Sequence, residues 1–253
     1  MIQKLSVIII CMNEETRIRR CLESVKWADE IVVVDSGSTD KTLEIVAEYT
    51  DKIFINTDWQ GFGLQKKLAV DKATNDWVLA LDADEVVSDL LRDEILESMS
   101  AADEKVVYRV NRLTNFCNKF IYHSGWHPDR IVRLFNKKLY TYNDKFVHET
   151  VDCKDAKKID LKGKLLHYTF ESLEEYIDKR NSYAKAWAES QYKKGCNTNI
   201  FKILGHSLFA FIRHYIIRLG VLDGYHGFLI SVIQMQYTFN KYNFLRFRNN
   251  SKH

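Results

Sequence analysis

The sequence predicts an α/β protein built on a doubly wound, mainly parallel sheet, continued at its C-terminus by helices. Three observations carry that expectation. Short aliphatic runs alternate four times with amphipathic helical segments within roughly the first ninety residues. Three of those runs lead into acids at what would be a common edge of the sheet. Beyond residue 104 the alternation stops, and from about Ile200 aromatic and aliphatic residues with interspersed cations take over.

Leu5 to Ile10 is a β-branched strand by composition, followed by Glu14 and Glu15 and a helix with Ile18, Leu22 and Val25 on one face. A second strand, Glu30 to Asp35, enters the polar turn Ser36-Gly37-Ser38-Thr39-Asp40, and a second helix groups Leu43, Val46 and Ala47. Lys52 to Asn56 reads as a third strand, and Gly61-Phe62-Gly63 opens a helix carrying Leu64 and Leu68. Trp77 to Leu81, a purely apolar run, reads as a strand buried on both faces. Ser88 caps a helix whose Leu91, Ile95 and Met99 share a face. Val106 to Val110 and Arg130 to Phe135 extend the sheet in a mixed fashion, and Ser172 with Glu175 forms a capping box for a long helix that stops at Gly195.

The chain has 253 residues, 46% of them hydrophobic, enough for one large domain or a domain with an appendage. Its net charge of +3 is unevenly spread, for nine cations face the single acid Asp223 from Ser190 onward. A basic tail on a slightly acidic body suits a polyanionic surface, either nucleic acid or anionic lipid. The run Gly224 to Asn240 lacks formal charge but contains His226, Gln234 and Gln236. A membrane-spanning helix wants about 20 predominantly apolar residues, so interfacial helices fit this run better, with a packed hairpin or a dimer interface as the alternatives. Five scattered cysteines without a CxxC pair, and an N-terminus without a signal-peptide pattern, set the expectation of a cytoplasmic protein.

Asp82 and Asp84 stand two apart after the fourth strand. If the chain stays extended there, both side chains point to one side, where they repel unless a hard divalent cation neutralises them. The dinucleotide alternative is weak, because Gly61-Phe62-Gly63 is not a GxGxxG opening the first helix, and no Walker motif occurs.

The stretches SVIIICMNEE, EIVVVDSGSTDKT, GFGLQKK and WVLALDADE resemble family 2 inverting glycosyltransferases. GWHPDRIVRLF, VHE, LLHYTF and RLGVLDGYHGF extend the likeness to the subgroup that glucosylates the inner core of lipopolysaccharide. The resemblance implies the GT-A fold, a Rossmann-like nucleotide-diphospho-sugar transferase fold with a mixed central sheet, over residues 1–170. Residues 1–104 would be the nucleotide-sugar half and 105–170 the acceptor half, with 171–253 a basic, amphipathic helical extension that associates with membrane. It implies a UDP-sugar donor with Mg²⁺ or Mn²⁺, Asp35 and Glu14 at the uracil or ribose, and Lys66 at the diphosphate. Asp82 would face the ribose as first acid of the DXD motif, close to the metal, and Asp84 would ligate the metal.

Inverting transfer is a single displacement needing a general base at the acceptor hydroxyl and positive charge on the leaving group. Glu149 is the first choice of base and Asp129 the second. His148 is a positioning group; Trp126 either stacks on an acceptor sugar or packs in the core; Arg133 either pairs with a phosphate or lines the exposed side of a strand. His167 either lines the acceptor pocket or is a hydrogen-bonded core histidine. The predicted activity is transfer of glucose from UDP-glucose to a lipid-linked saccharide, such as a lipopolysaccharide heptose, at the inner face of the cytoplasmic membrane. Partners would be an anionic membrane surface, not nucleic acid, and a second copy through the C-terminal helices. The alternatives are a haloacid-dehalogenase-like phosphohydrolase and a non-catalytic membrane-surface adaptor.

Overall fold

The computed structural model describes residues 3–100 and 103–250. They form two compact units: one takes the chain up to Arg112 with Asp129–Tyr168, the other Leu113–Pro128 with the chain from Thr169.

The first unit opens with β1 (Leu5–Cys11), α1 (Ile18–Val25), β2 (Glu30–Asp35), α2 (Thr42–Ala47), β3 (Ile53–Ile55), α3 (Phe62–Lys72) and β4 (Trp77–Asp82). β5 (Glu85–Val87), α4 (Asp89–Ser100) and β6 (Val106–Phe116) follow, then β7 (Lys119–Phe120), β8 (Asp129–Asn136), β9 (Thr141–Tyr142), β10 (Val151–Asp152) and β11 (Lys157–Phe170). Among the described residues the main sheet runs β3-β2-β1-β4-β8-β6-β11-β5, with β7 on β6, while β9 and β10 form a separate ribbon. β1 pairs in parallel with β2 and β4, and β8 pairs antiparallel to β4, so the sheet is mixed as the sequence predicts.

Chain order reverses at β1, which puts the ends of β1, β2 and β4 around one crevice. The register levels them, with Cys11 opposite Asp35 and Ile10 opposite Asp82. Side chains alternate across β1. Val7 and Ile9 pack with Ile18 and Leu22 of α1 and Leu91 and Ile95 of α4, whereas Ile8 and Ile10 pack with Ala69 and Val70 of α3. Each such buried aliphatic contributes roughly 1.5–3 kcal/mol, and the strand is thereby fixed from both faces.

Two expectations change. The buried face of α3 carries Gln65 and Lys66 alongside Ala69 and Val70, while Leu64 and Leu68 are half-buried, because this helix faces polar partners at the crevice. The chain also does not stay extended after β4: Ala83 and Asp84 form a turn into β5, so Asp82 and Asp84 take different partners.

The second unit holds α5 (Leu173–Lys193), α6 (Ile200–Ile212), a π-helical turn at Arg213–Ile217, a 3-10 turn at Gly220–Asp223 and α7 (Gly224–Asn250). Ser172 Oγ accepts from Glu175 N at 3.1 Å, so the predicted cap forms, and Gly195 ends the helix region at φ 71°. Buried Phe116, Ile121, Tyr176, Ile230 and Ile233 make its core. Buried Asp223 accepts from Tyr122 N, His123 N and Ser124 Oγ, which fastens the Leu113–Pro128 segment to the start of α7.

Candidate active site

A cavity of about 680 Å³ in the first unit is bordered by Lys66, Asp82, Arg112, Arg133, Tyr142 and Glu149. Lys66, 3% exposed, lies at its centre of charge. Its Nζ is 2.8 Å from Asp82 Oδ1 and 2.7 Å from Glu149 Oε1. Burial and the nearby Arg133 would lower the lysine pKa, but Asp82 together with Tyr142 and Glu149 outweighs them and the ammonium is held above its ordinary range.

Glycines bring Glu149 there. A Cβ on Gly61 would stand 2.5 Å from the Phe146 Cα, and one on Gly63 would stand 2.2 Å from the Asn143 carbonyl oxygen. Without side chains at these positions, Phe62 N donates to Phe146 O at 3.0 Å and Gly63 N to Lys145 O at 3.1 Å. The segment 143–146 is thus laid on the start of α3, and His148 at φ 60° turns the chain so that Glu149 reaches Lys66. His148 itself is exposed.

Asp82 is gripped from its other side by Arg133 Nη2 at 2.6 Å, and the same nitrogen lies 2.6 Å from Glu85 Oε1. Arg133 is 4% exposed and Glu85 fully buried, so Arg133 is not on the exposed side of its strand as one reading of the sequence had it. Burial would raise the Asp82 carboxyl; Arg133 and then Lys66 overcome that and hold it well below the usual carboxylate range. Arg112 reaches Glu85 at 3.4 Å and forks Asp129 Oδ2 through Nε at 2.9 Å and Nη2 at 2.8 Å. Asp129 is therefore engaged by a guanidinium, whereas Glu149 faces an ammonium that also serves Asp82. The Arg133–Glu85–Arg112 chain escaped the sequence reading; its one signal was charge inside otherwise apolar strand positions.

Asp84 turns elsewhere. Its Oδ2 is 3.2 Å from His167 Nε2 on β11, and its carbonyl accepts from Tyr168 N at 2.9 Å. A carboxylate oxygen beside an imidazole nitrogen is a donor pair suited to a divalent cation. Among the described residues no three metal-ligating side chains gather, so an ion at this pair would draw its remaining ligands from substrate and water.

Asp35, fully buried, accepts from Gly37 N and Ser38 N at 2.7 Å each and from Ser38 Oγ, and Cys11 Sγ lies 3.4 Å from it. Its carboxylate shapes the turn at the end of β2. At the turn after β1, Glu14 N donates to Thr42 Oγ1 at 2.7 Å, tying that turn to α2. Trp126 belongs to the second unit and packs there at 5.7 Å from both Phe116 and Tyr176.

The profile of glycosyl transferase family 2 matches residues 6–157. The chain is 32% identical over 247 residues to a lipopolysaccharide core biosynthesis glycosyltransferase, LpsC, of Rhizobium meliloti, covering 93% of this chain and 89% of that protein. It is 33% identical over 251 residues to a glycosyltransferase of Rickettsia conorii, covering 91% and 86%. Among solved structures it is similar to S. aureus TarS 1–349 in complex with UDP, with a TM-score of 0.46 and 14% identity over 99% of this chain and 92% of that one.

Proposed function

The chain belongs to glycosyl transferase family 2, an inverting family with the GT-A fold, and we propose that it transfers glucose from UDP-glucose to a lipid-linked saccharide, such as a heptose of lipopolysaccharide core. The observation that carries the chemistry is the buried Lys66 held between Asp82 and Glu149 at the C-terminal edge of β4. A carboxylate base for the acceptor hydroxyl and a cation for the leaving group stand side by side there.

In this reading Glu149 removes the proton of the acceptor hydroxyl as that oxygen bonds to the anomeric carbon. The bond from the anomeric carbon to the diphosphate oxygen breaks, and its electron pair leaves on UDP. Lys66 orients Glu149 and offers positive charge to the departing diphosphate. Arg133 fixes Asp82, which faces the ribose; Asp35 and Glu14 line the nucleotide end, and Asp129 is the reserve base. Asp84 and His167 would hold Mn²⁺ or Mg²⁺, which when bound stabilises the diphosphate charge. His167 thereby moves from the acceptor side to the metal side and His148 keeps an acceptor role, while Trp126 takes the second of its two readings and packs in the core of its own unit.

Residues 1–170 would serve as the catalytic domain and 171–253 as the membrane-associating extension, of which 251–253 lie outside the described residues. Support for membrane contact is the stretch Ile200–Ile217, long and apolar enough to cross a membrane by length and composition, of which 17% is buried. We read it as interfacial, because cations punctuate its end and its neighbours. In this reading the enzyme works at the inner face of the cytoplasmic membrane. A phosphohydrolase of the haloacid dehalogenase kind would need its nucleophilic Asp after β1, where this chain has Cys11.

The test is transfer of radiolabelled glucose from UDP-glucose to lipopolysaccharide truncated at the inner core. Label in the lipid fraction supports the proposal, and label that never leaves the nucleotide across several truncation lengths refutes it.

A further inference from the structure

The helical unit carries cations that no acid answers. Arg180 on α5, Arg213 and Arg218 at the turn after α6, and Lys241 on α7 make no ion pair with a carboxylate among the described residues, where that unit's ion pairs use His123, Lys193 and Arg248. They are gathered by geometry. The Arg180 guanidinium lies 3.8 Å from the Tyr237 ring centroid and Lys241 Nζ lies 5.1 Å from the same centroid. Gln234, Tyr237 and Lys241 share one face of α7 by helical spacing. Gln234 Nε2 stands 3.4 Å from Nε2 of buried His214, whose Nδ1 is 2.8 Å from Ser124 O. Arg218 lies against Gly125, where a Cβ would come within 2.3 Å of its Nη1.

Two polar atoms of this group, Arg180 Nε and Gln234 Oε1, are buried without a hydrogen-bond partner. The cations also disfavour each other. Burial and then Arg180 lower the pKa of Lys241. Burial lowers His214, with Arg218, Arg213 and Arg180 adding to it against the hydrogen bond to Ser124. A cluster of unanswered cations with the orphaned Arg180 Nε–H costs stability, and its remedy is an anion with several acceptor oxygens; Gln234 Oε1, an acceptor, is not part of that remedy. Phosphate meets guanidinium groups as a fork.

The surroundings say where that phosphate would come from. Arg213 and Arg218 sit within a run of exposed Phe209, Ile212, Ile216, Ile217, Leu219 and Leu222. Apolar surface flanking these cations matches an amphiphile at headgroup level, not a free ion.

We propose that Arg180, Arg213, Arg218 and Lys241 form a site for the phosphate of a membrane lipid headgroup, with the lipid chains along the exposed apolar side of α6. This rests on the membrane-facing reading of the C-terminal helices given above. It goes further by naming one discrete site in place of a diffusely basic tail.

The test compares the full chain with Arg180→Gln/Arg218→Gln and with Lys185→Gln/Lys194→Gln, a control that removes the same charge at exposed positions of the same unit. Binding is measured to phosphatidylcholine vesicles with and without phosphatidic acid. The cluster variant is expected to lose about tenfold or more affinity beyond the control for phosphatidic acid vesicles. Free of lipid, it is expected to melt no lower than wild type, because like-charge repulsion is relieved. Equal losses in the two variants would overturn the site in favour of diffuse attraction. If the double variant misfolds, the exposed Arg213→Gln makes the same comparison against Lys185→Gln. Inorganic phosphate that stabilises wild type as well as dihexanoylphosphatidic acid does, with vesicles left unbound, would overturn the lipid source. UDP binding by the wild type is measured beside these; its absence would sink the glycosyltransferase reading and leave the vesicle result standing.

Discussion

Replacing Arg133 with methionine removes the guanidinium shared by two carboxylates. Arg133 Nη2 lies 2.6 Å from both Asp82 Oδ2 and Glu85 Oε1. In the variant Asp82 retains Lys66, but fully buried Glu85 is left with Arg112 at 3.4 Å. Taking one partner from a buried ion pair costs roughly 3–5 kcal/mol, a large share of a typical domain's stability. For a unit of this size the melting temperature should fall by on the order of 10 °C. Arg133→Lys should recover only part of that, because an ammonium lacks the fork. The pH dependence has a definite sign. Asp82 is held well below the ordinary carboxylate range, so the bridge contributes fully above that range and its contribution is lost as pH falls beneath it. Melting wild type and variant by circular dichroism across neutral and acid pH therefore gives a gap that narrows on acidification. A neutral-pH shift under about 2 °C, or a gap that widens in acid, would refute the reasoning.

Glu149→Gln should keep UDP affinity and lower turnover by about a hundredfold or more, a usual scale for loss of a general base; normal turnover in that variant with loss in Asp129→Asn would move the base. Glu30, held at about 2 rather than 4.5 despite burial by Lys52, Ser6 and Thr74, should stabilise wild type over Glu30→Gln above pH 4.5, with the advantage fading as pH falls through about 2. Acid titration of both proteins by fluorescence reads this directly, and a constant gap down to that pH would count against it.

The alternating half of the fold was legible because its residues obey simple periods. Ile8 and Ile9 must face opposite sides of a strand, and Ile18, Leu22 and Val25 fall on one side of a helix, whatever else the chain does. β5, β9 and β10 were not legible, being two or three residues long with too little pattern to read. β11 hides for another reason: Lys157, Lys158, Asp160, Lys162 and Lys164 make its first part look like a solvated loop. In the site, the acids at the strand ends announced themselves through sharp changes from apolar to acidic sequence. Their partners did not, since Lys66–Glu149, Asp84–His167 and Arg133–Glu85 join residues 48 to 83 positions apart. Lys66 in particular broke the helical pattern by taking a buried position on α3 where Leu64 and Leu68 were expected.

The central claim is that this crevice holds a UDP-sugar with a divalent ion at Asp84 and His167. Calorimetric titration with UDP, UDP-glucose, GDP and NAD, each with and without Mn²⁺, tests it most directly, using wild type and Asp84→Ala. The account predicts Mn²⁺-dependent binding of the uridine nucleotides alone, lost in a folded Asp84→Ala variant. Unchanged Mn²⁺-dependent UDP affinity in that variant, or no nucleotide binding by wild type under any of these conditions, would contradict it.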